Sequence, residues 1–212
     1  ESASSVDSVM VENSAPVLSG AALSPASGVY NDSVLSCSAT VNDPDESLSP
    51  TVNWGVNGAS VGVGNSLDLA TTSALPSDTV TCLISVTDSQ GASDTVTLTV
   101  TVDNRAPAAP TLTITASPIE QQDDIVCQHS GLSDPDGQSP TISYSWTVDG
   151  QPTAQSSSTV SAAIISSGEA WACTGTVSDG LATSSATVST TVSSDWDGVR
   201  VFTPCGNTGQ SG

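Results

Sequence analysis

Thr95-Val96-Thr97-Leu98-Thr99-Val100-Thr101-Val102-Asp103-Asn104-Arg105-Ala106-Pro107 carries the two readings on which the fold turns. Up to Val102, polar and apolar residues alternate with a period of two, the pattern of a half-buried strand. From Val102 onward the stretch returns an earlier one, Val11-Glu12-Asn13-Ser14-Ala15-Pro16. Behind each copy follow a Cys, an Asp-Pro-Asp, a Trp, a second Cys and another Asp in the same order. Cys173 lies 91 positions after Cys82, as Asp134 does after Asp43, so the 212 residues hold two repeats. Ser8-Val9-Met10-Val11 then corresponds to Thr99-Val100-Thr101-Val102, the closing strand of repeat one. The chain is therefore expected to open on a closing strand that has no upstream domain of its own.

The same alternation runs through Thr111-Leu112-Thr113-Ile114-Thr115, and no segment sustains a 3.6-residue period. Turn residues punctuate the strands at Asn57-Gly58, Asp149-Gly150, Gln90-Gly91 and Asp179-Gly180. The fold class is accordingly all-β, two tandem sandwiches with strand-like extensions. The boundaries expected are an N-terminal extension at 1–14, domains at 15–104 and 105–194, and a C-terminal extension at 195–212. Aromatic content of 3% leaves the cores to Val, Ile, Leu and Ala.

The net charge of −20 rests on 22 acidic residues against two cations, Arg105 and Arg200, with no lysine. Nucleic acid and anionic membranes are excluded as partners, because both need clustered cations. Lysine-based isopeptide cross-links are excluded too. Such an acidic balance suits a chain that binds divalent cations or lives in high salt, and it also serves plain solubility. No stretch approaches the roughly 18 apolar residues of a membrane span. Paired cysteines, Ser-rich composition and a start at Glu1 rather than Met are read as a mature protein outside the cytosol, at the cell surface.

Each repeat holds its own cysteine pair, Cys37 with Cys82 and Cys127 with Cys173, bracketing Trp54 and Trp146. These are the spacings of an inter-sheet disulfide packed on a third-strand tryptophan, as in immunoglobulin-like domains. Residues 15–195 resemble tandem bacterial or archaeal immunoglobulin-like repeats of the cadherin and PKD kind. The resemblance rests on Asp134-Pro135-Asp136-Gly137, Tyr144-Ser145-Trp146-Thr147-Val148-Asp149-Gly150 and Val177-Ser178-Asp179-Gly180. Asp78 and Glu169, four residues before the strand F cysteines, also resemble the immunoglobulin pattern. Two departures stand: no Asp-Phe-Gly-Asp follows the tryptophan, and the linker carries part of the cadherin pattern.

In such a sandwich the B-C and F-G loops emerge beside the domain's N-terminus. Asp134, Asp136 and Asp179 are then expected near Asp103 and Asn104, and Asp43, Asp45 and Asp88 near Glu12 and Asn13. Several carboxylate oxygens in one loop cluster make a Ca²⁺ site of the weak extracellular kind, with a Kd on the order of 10⁻⁴ to 10⁻³ M. Resemblance to cadherin junctions implies the same cation. Asp-Pro-Asp is equally a good turn, since Asp caps backbone N–H groups and Pro fixes φ. Asn31-Asp32-Ser33 is the one N-glycosylation sequon.

An enzyme is not expected. His129, the only histidine, shares the inward parity of Cys127 and is read as partly buried, which suits no Ser/His/Asp triad. Trp54, Trp146 and Trp171 are read as packing residues, leaving Trp196 and Tyr30 as candidates for an exposed aromatic. The N-terminal extension is strand-like, with Val6, Val9 and Val11 as a candidate assembly strand, and Cys205 is the odd cysteine. An unpaired apolar strand templates association, and this one is read as adding to a neighbouring copy's sheet, pairing within its own chain or being the stub of a longer array; the preferred expectation is a non-catalytic extracellular structural protein. Its form would be a surface filament or pilus-like homopolymer joined by strand exchange between copies. The alternative is a calcium-dependent adhesion or carbohydrate-binding module of a larger secreted protein, with another surface protein or a glycan as partner.

Overall fold

The structure, a computed structural model, describes residues 10, 12–115, 119–120 and 122–193. The chain divides between Arg105 and Ala106 into two compact units. In the first, β1 (Val17–Ser24), β2 (Val34–Asn42) and β5 (Ser66–Asp68) form one antiparallel sheet in the order β1-β2-β5. The facing sheet has the order β4-β3-β6-β7, from β3 (Thr51–Val56), β4 (Ala59–Val63), β6 (Thr79–Thr87) and β7 (Ser93–Thr101). In the second unit β8 (Thr111–Thr115), β10 (Ile125–Ser130) and β13 (Thr159–Val160) give the order β13-β10-β8. Its other sheet runs β12-β11-β14-β15-β9, from β9 (Ile119–Glu120), β11 (Thr141–Val148), β12 (Gln151–Pro152), β14 (Ala170–Ser178) and β15 (Thr183–Ser193). Helix among the described residues amounts to two single 3₁₀ turns, Leu69–Thr71 and Ala162–Ile164.

Hairpin chemistry sets the register. Asn57 and Gly58 both take positive φ, 49° and 82°, and Asp149 and Gly150 repeat this at 49° and 77°. Two successive positive φ values define the turn whose twist matches that of the flanking strands, and Asn-Gly and Asp-Gly adopt it most readily. Asn57 is fixed further, its amide donating to Asp78 Oδ1 at 2.7 Å and its Oδ1 accepting from Thr79 N–H at 2.9 Å.

Each core is a layer of aliphatic side chains around one disulfide and one tryptophan. Cys37 is bonded to Cys82 and Cys127 to Cys173. Trp54 and Trp146 are each 1% exposed and donate their indole N–H to Gly64 O and Ser157 O at 2.7 and 2.8 Å. A buried indole that keeps its hydrogen bond contributes its full apolar surface without a desolvation loss. Trp171, also buried, packs edge-on against Trp146 with ring centroids 6.3 Å apart, and donates to Glu169 Oε2 at 2.9 Å.

The repeats fill equivalent places differently. Position 84 in β6 is a fully buried Ile, and its equivalent in β14 is Gly175. The room is taken by neighbours: a Cβ on Gly175 would stand 3.0 Å from Leu112 Cδ2 and 3.2 Å from Ile142 Cδ1. The equivalent of Leu112 in the first unit is the small Ala21, which packs against that unit's core. Large and small have changed sides while the layer stays filled, as dense packing requires.

Strand alternation also sorts the charges. The outward positions of β3, β6 and β7 are Thr, Ser, Asn53, Gly55 and Leu83, with no ionisable group. The outward positions of β11, β14 and β15 are Thr and Ser with Ala170 and Ala172. Asp94, the one acid within β7, has the opposite parity, and its Oδ2 accepts from Leu18 N–H at 2.8 Å. The acidic charge of the described residues therefore sits in loops, at strand ends and on the short edge strands.

Candidate functional site

The loop between β2 and β3 and the loop between β6 and β7 meet the segment that enters the first unit, at Ser14 and Asn13. Asp43 Oδ1 accepts from the N–H groups of Asp45 and Glu46 at 2.8 and 3.0 Å, closing the Asp-Pro-Asp turn. Asp45 Oδ2 accepts from Ser14 N–H at 2.6 Å, and Asp88 Oδ2 from Asn13 Nδ2 at 2.8 Å. Asp88, 6% exposed, also accepts at Oδ1 from Gln90 and Ala92 N–H at 3.0 and 2.8 Å. The Asn13 amide, with the backbone N–H groups of Ala92, Gln90 and Gly91, holds the Asp88 carboxyl below the usual range against the opposing effect of burial. A cleft of about 510 Å³ lies over this end, lined by Glu12, Asn13, Pro44, Asp45 and Gln90. Asn13, Asp43, Asp45 and Asp88 thus share one loop cluster, and Glu12 stands at its mouth.

The second unit repeats the turn. Asp134 Oδ1 accepts from Asp136 N–H at 2.7 Å, and Asp179 Oδ1 from Leu181 and Ala182 N–H at 2.7 and 2.6 Å. Asp136 is 2% exposed. Asp103 and Asn104 fall on the first unit's side of the divide, where Asp103 N–H donates to Val29 O at 2.6 Å.

One feature recurs at equivalent places. Oδ2 of Asp43 and Oδ2 of Asp134 are both buried and accept no hydrogen bond. A buried carboxylate oxygen without a donor carries an uncompensated desolvation cost, and a cation would relieve it. The fit is partial, because among the described residues no three Asp, Glu, His or Cys side chains form a ready cage. A cation here would have to complete its shell with main-chain, amide and water oxygens, as weak extracellular Ca²⁺ sites do.

Other sequence expectations fall out differently. His129 is exposed rather than partly buried. It lies two residues past Cys127, where β10 runs out of core, and its Nδ1 meets the Tyr144 hydroxyl at 2.5 Å. Tyr30 is half-buried, with the Arg105 guanidinium 4.9 Å from its ring centroid, and Arg105 also pairs with Asp32 at 2.9 Å. Asn31, in the turn before β2, accepts from Arg105 Nη2 at 3.0 Å. Trp54, Trp146 and Trp171 being buried, no exposed aromatic platform for a sugar ring exists among the described residues. Each sandwich supplies its own closing strand, β7 and β15. The candidate assembly strand at Val6, Val9 and Val11 lies outside the described residues, as do Trp196 and Cys205.

The architecture defines a protein of tandem β-sandwich modules. No protein-family model and no curated protein sequence matches the chain. Among solved structures it is similar to a carbohydrate-binding module of the β-sandwich superfamily, at 18% identity and a TM-score of 0.35, covering 79% of this chain and 58% of that one. It is also similar to a Ca²⁺-stabilized adhesin with which an Antarctic bacterium binds ice, at 16% identity and a TM-score of 0.32, covering 86% of this chain and 49% of that one. The fibronectin(III)-like modules of CbhA from Clostridium thermocellum are similar at 16% identity and a TM-score of 0.29, covering 84% and 94%. The chain thus spans about half the length of the first and second of these.

Proposed function

We propose that the chain is a non-catalytic tandem module of an extracellular adhesive protein whose acidic loop ends bind Ca²⁺. The observation that carries the reading is the buried, unpartnered Oδ2 of Asp43, repeated at Asp134. A turn that needed only its caps would be served by Oδ1, which accepts the turn N–H groups in both units. The second oxygen, buried and without a donor in both units, supports a cation role over the bare turn. Duplication of the loop in successive modules also fits structural metal binding better than a single active site.

The test is melting with and without calcium. Addition of about 5 mM Ca²⁺, above the 10⁻⁴ to 10⁻³ M range of such sites, raises the melting temperature of the wild-type chain. Asp43→Asn with Asp134→Asn, which keeps the capping oxygens and removes the charge, abolishes the rise. Identical melting in calcium and in EDTA would refute the calcium role.

A further inference from the structure

We propose that the outward face of the β4-β3-β6-β7 sheet is a self-association surface whose occupant is a second copy of this chain. Copies carrying a net charge of −20 repel each other wherever acids line the approach. The outward positions of β3, β6 and β7 carry no ionisable group, so this face can be approached by another copy without burying a carboxylate. Ser and Thr hydroxyls both donate and accept, which makes a face built of them self-complementary.

The face also has a knob and a hole. Leu83 is 38% exposed at its centre, paired with Asn53 across the ladder. On the diagonal, where Gly55 lies opposite Thr81, a hollow of about 210 Å³ is lined by Asn53, Gly55, Gly58, Ser60 and Thr81 with Leu83 at its rim. A two-fold axis in the plane of the face, bisecting the line from Leu83 to Gly55, sets each copy's Leu83 over the other's hollow. That is the isologous arrangement of a symmetric dimer.

The second unit supplies an internal control. Thr174 occupies the place of Leu83 and Thr147 the place of Gly55, so its hydroxyl face has neither knob nor hole. The contact is small. Four strands spaced about 4.8 Å, with residues rising about 3.4 Å, give roughly 500 Å² per copy, against about 800 Å² in a standard interface. A contact of this size falls among weak, transient interfaces. It holds whether or not the loop ends take calcium.

Sedimentation equilibrium of the full chain in EDTA, at protein concentrations up to about 1 mM, tests the proposal and removes calcium bridging as a source of association. Dimerisation strengthens several-fold as NaCl rises from about 0.05 to about 0.5 M, because salt screens repulsion between like-charged copies. Leu83→Glu and, beside it, Asn53→Glu each weaken it by roughly tenfold or more, while Thr174→Glu, which adds the same charge at the equivalent place, leaves it unchanged. Circular dichroism confirms that each variant is folded, and either variant alone decides the matter should the other fail to fold. A monomer at about 1 mM in high salt, association that weakens with salt, or equal loss in Thr174→Glu and Leu83→Glu would each overturn the proposal.

Discussion

Gly175 and Leu112 share a space that Ile84 and Ala21 divide the other way in the first unit, so restoring the first unit's residue in the second should fail in a calculable manner. Gly175→Ala gains about 0.5 kcal/mol or slightly more from reduced chain entropy in a strand. Its methyl meets the ends of Leu112 and Ile142 at 3.0 and 3.2 Å, contacts that flexible side chains relax by a few tenths of an ångström. The net change is close to zero. Gly175→Ile adds a branched side chain where no room remains, and overpacking of this kind costs about 2 to 3 kcal/mol. Leu112→Ala alone costs about 2 kcal/mol, because Leu112 is only partly buried. The double variant Gly175→Ile with Leu112→Ala should cost less than the sum by at least 1 kcal/mol or so, the coupling expected of residues in contact. Calorimetry on the full chain reads this directly: each kcal/mol shifts the second unit's transition by about 4 to 8 °C, and the first unit's should not move. Gly175→Ile melting with the wild type, or additive effects in the double variant, would refute the reasoning about exchanged volumes.

Removing Cys37 and Cys82 together, as alanines, should cost the first unit about 4 kcal/mol for a 45-residue separation and leave the second unit's transition in place; a small loss by denaturant titration would contradict the loop-entropy account. Asp88 and Glu169 both have folded pKa values lowered, the first chiefly by the Asn13 amide and the second by Ser166 N–H and the Trp171 indole. A lowered folded pKa contributes stability above the unfolded value, near 4 for these groups, and that stability is lost as pH falls through the folded pKa. Asn13→Ala should therefore destabilise the first unit at pH 7 and converge on the wild type in acid melts, whereas a difference persisting below about pH 2 would point to lost packing instead. Trp171→Phe should raise the Glu169 pKa and move the second unit's acid-unfolding midpoint to higher pH, as calorimetry at a series of pH values would report.

Legibility followed the physics of each signal. Strand alternation at 95–102 and the Asn57-Gly58 and Asp149-Gly150 hairpins are local, and they stand in the structure as the sequence predicts. The tryptophan cores and both disulfides were legible because the duplication prints each spacing twice. His129 was misread because parity gives the direction of a side chain and not where along a strand the core ends. In the first unit Asp88 and Asp45 hydrogen-bond Asn13 and Ser14 across the loops. The division of labour within Asp43, with Oδ1 capping and Oδ2 left over, depends on turn geometry that composition does not encode. Leu83 and the Gly55 hollow had no sequence signal beyond one apolar residue and one glycine at outward positions, since only the register between β3 and β6 makes them neighbours.

The sheet-to-sheet disulfides have a mechanical corollary. A unit pulled apart at its ends releases chain at up to about 3.4 Å per residue. The bridge from Cys37 to Cys82 short-circuits a separation of 45 residues, and that from Cys127 to Cys173 one of 46. Roughly half the contour length of each unit therefore stays locked, and a ruptured unit lengthens by on the order of 100 Å less than a reduced one. Such a tether yields in two short steps rather than one long run, and keeps its cysteine-bounded half compact while the rest is stretched.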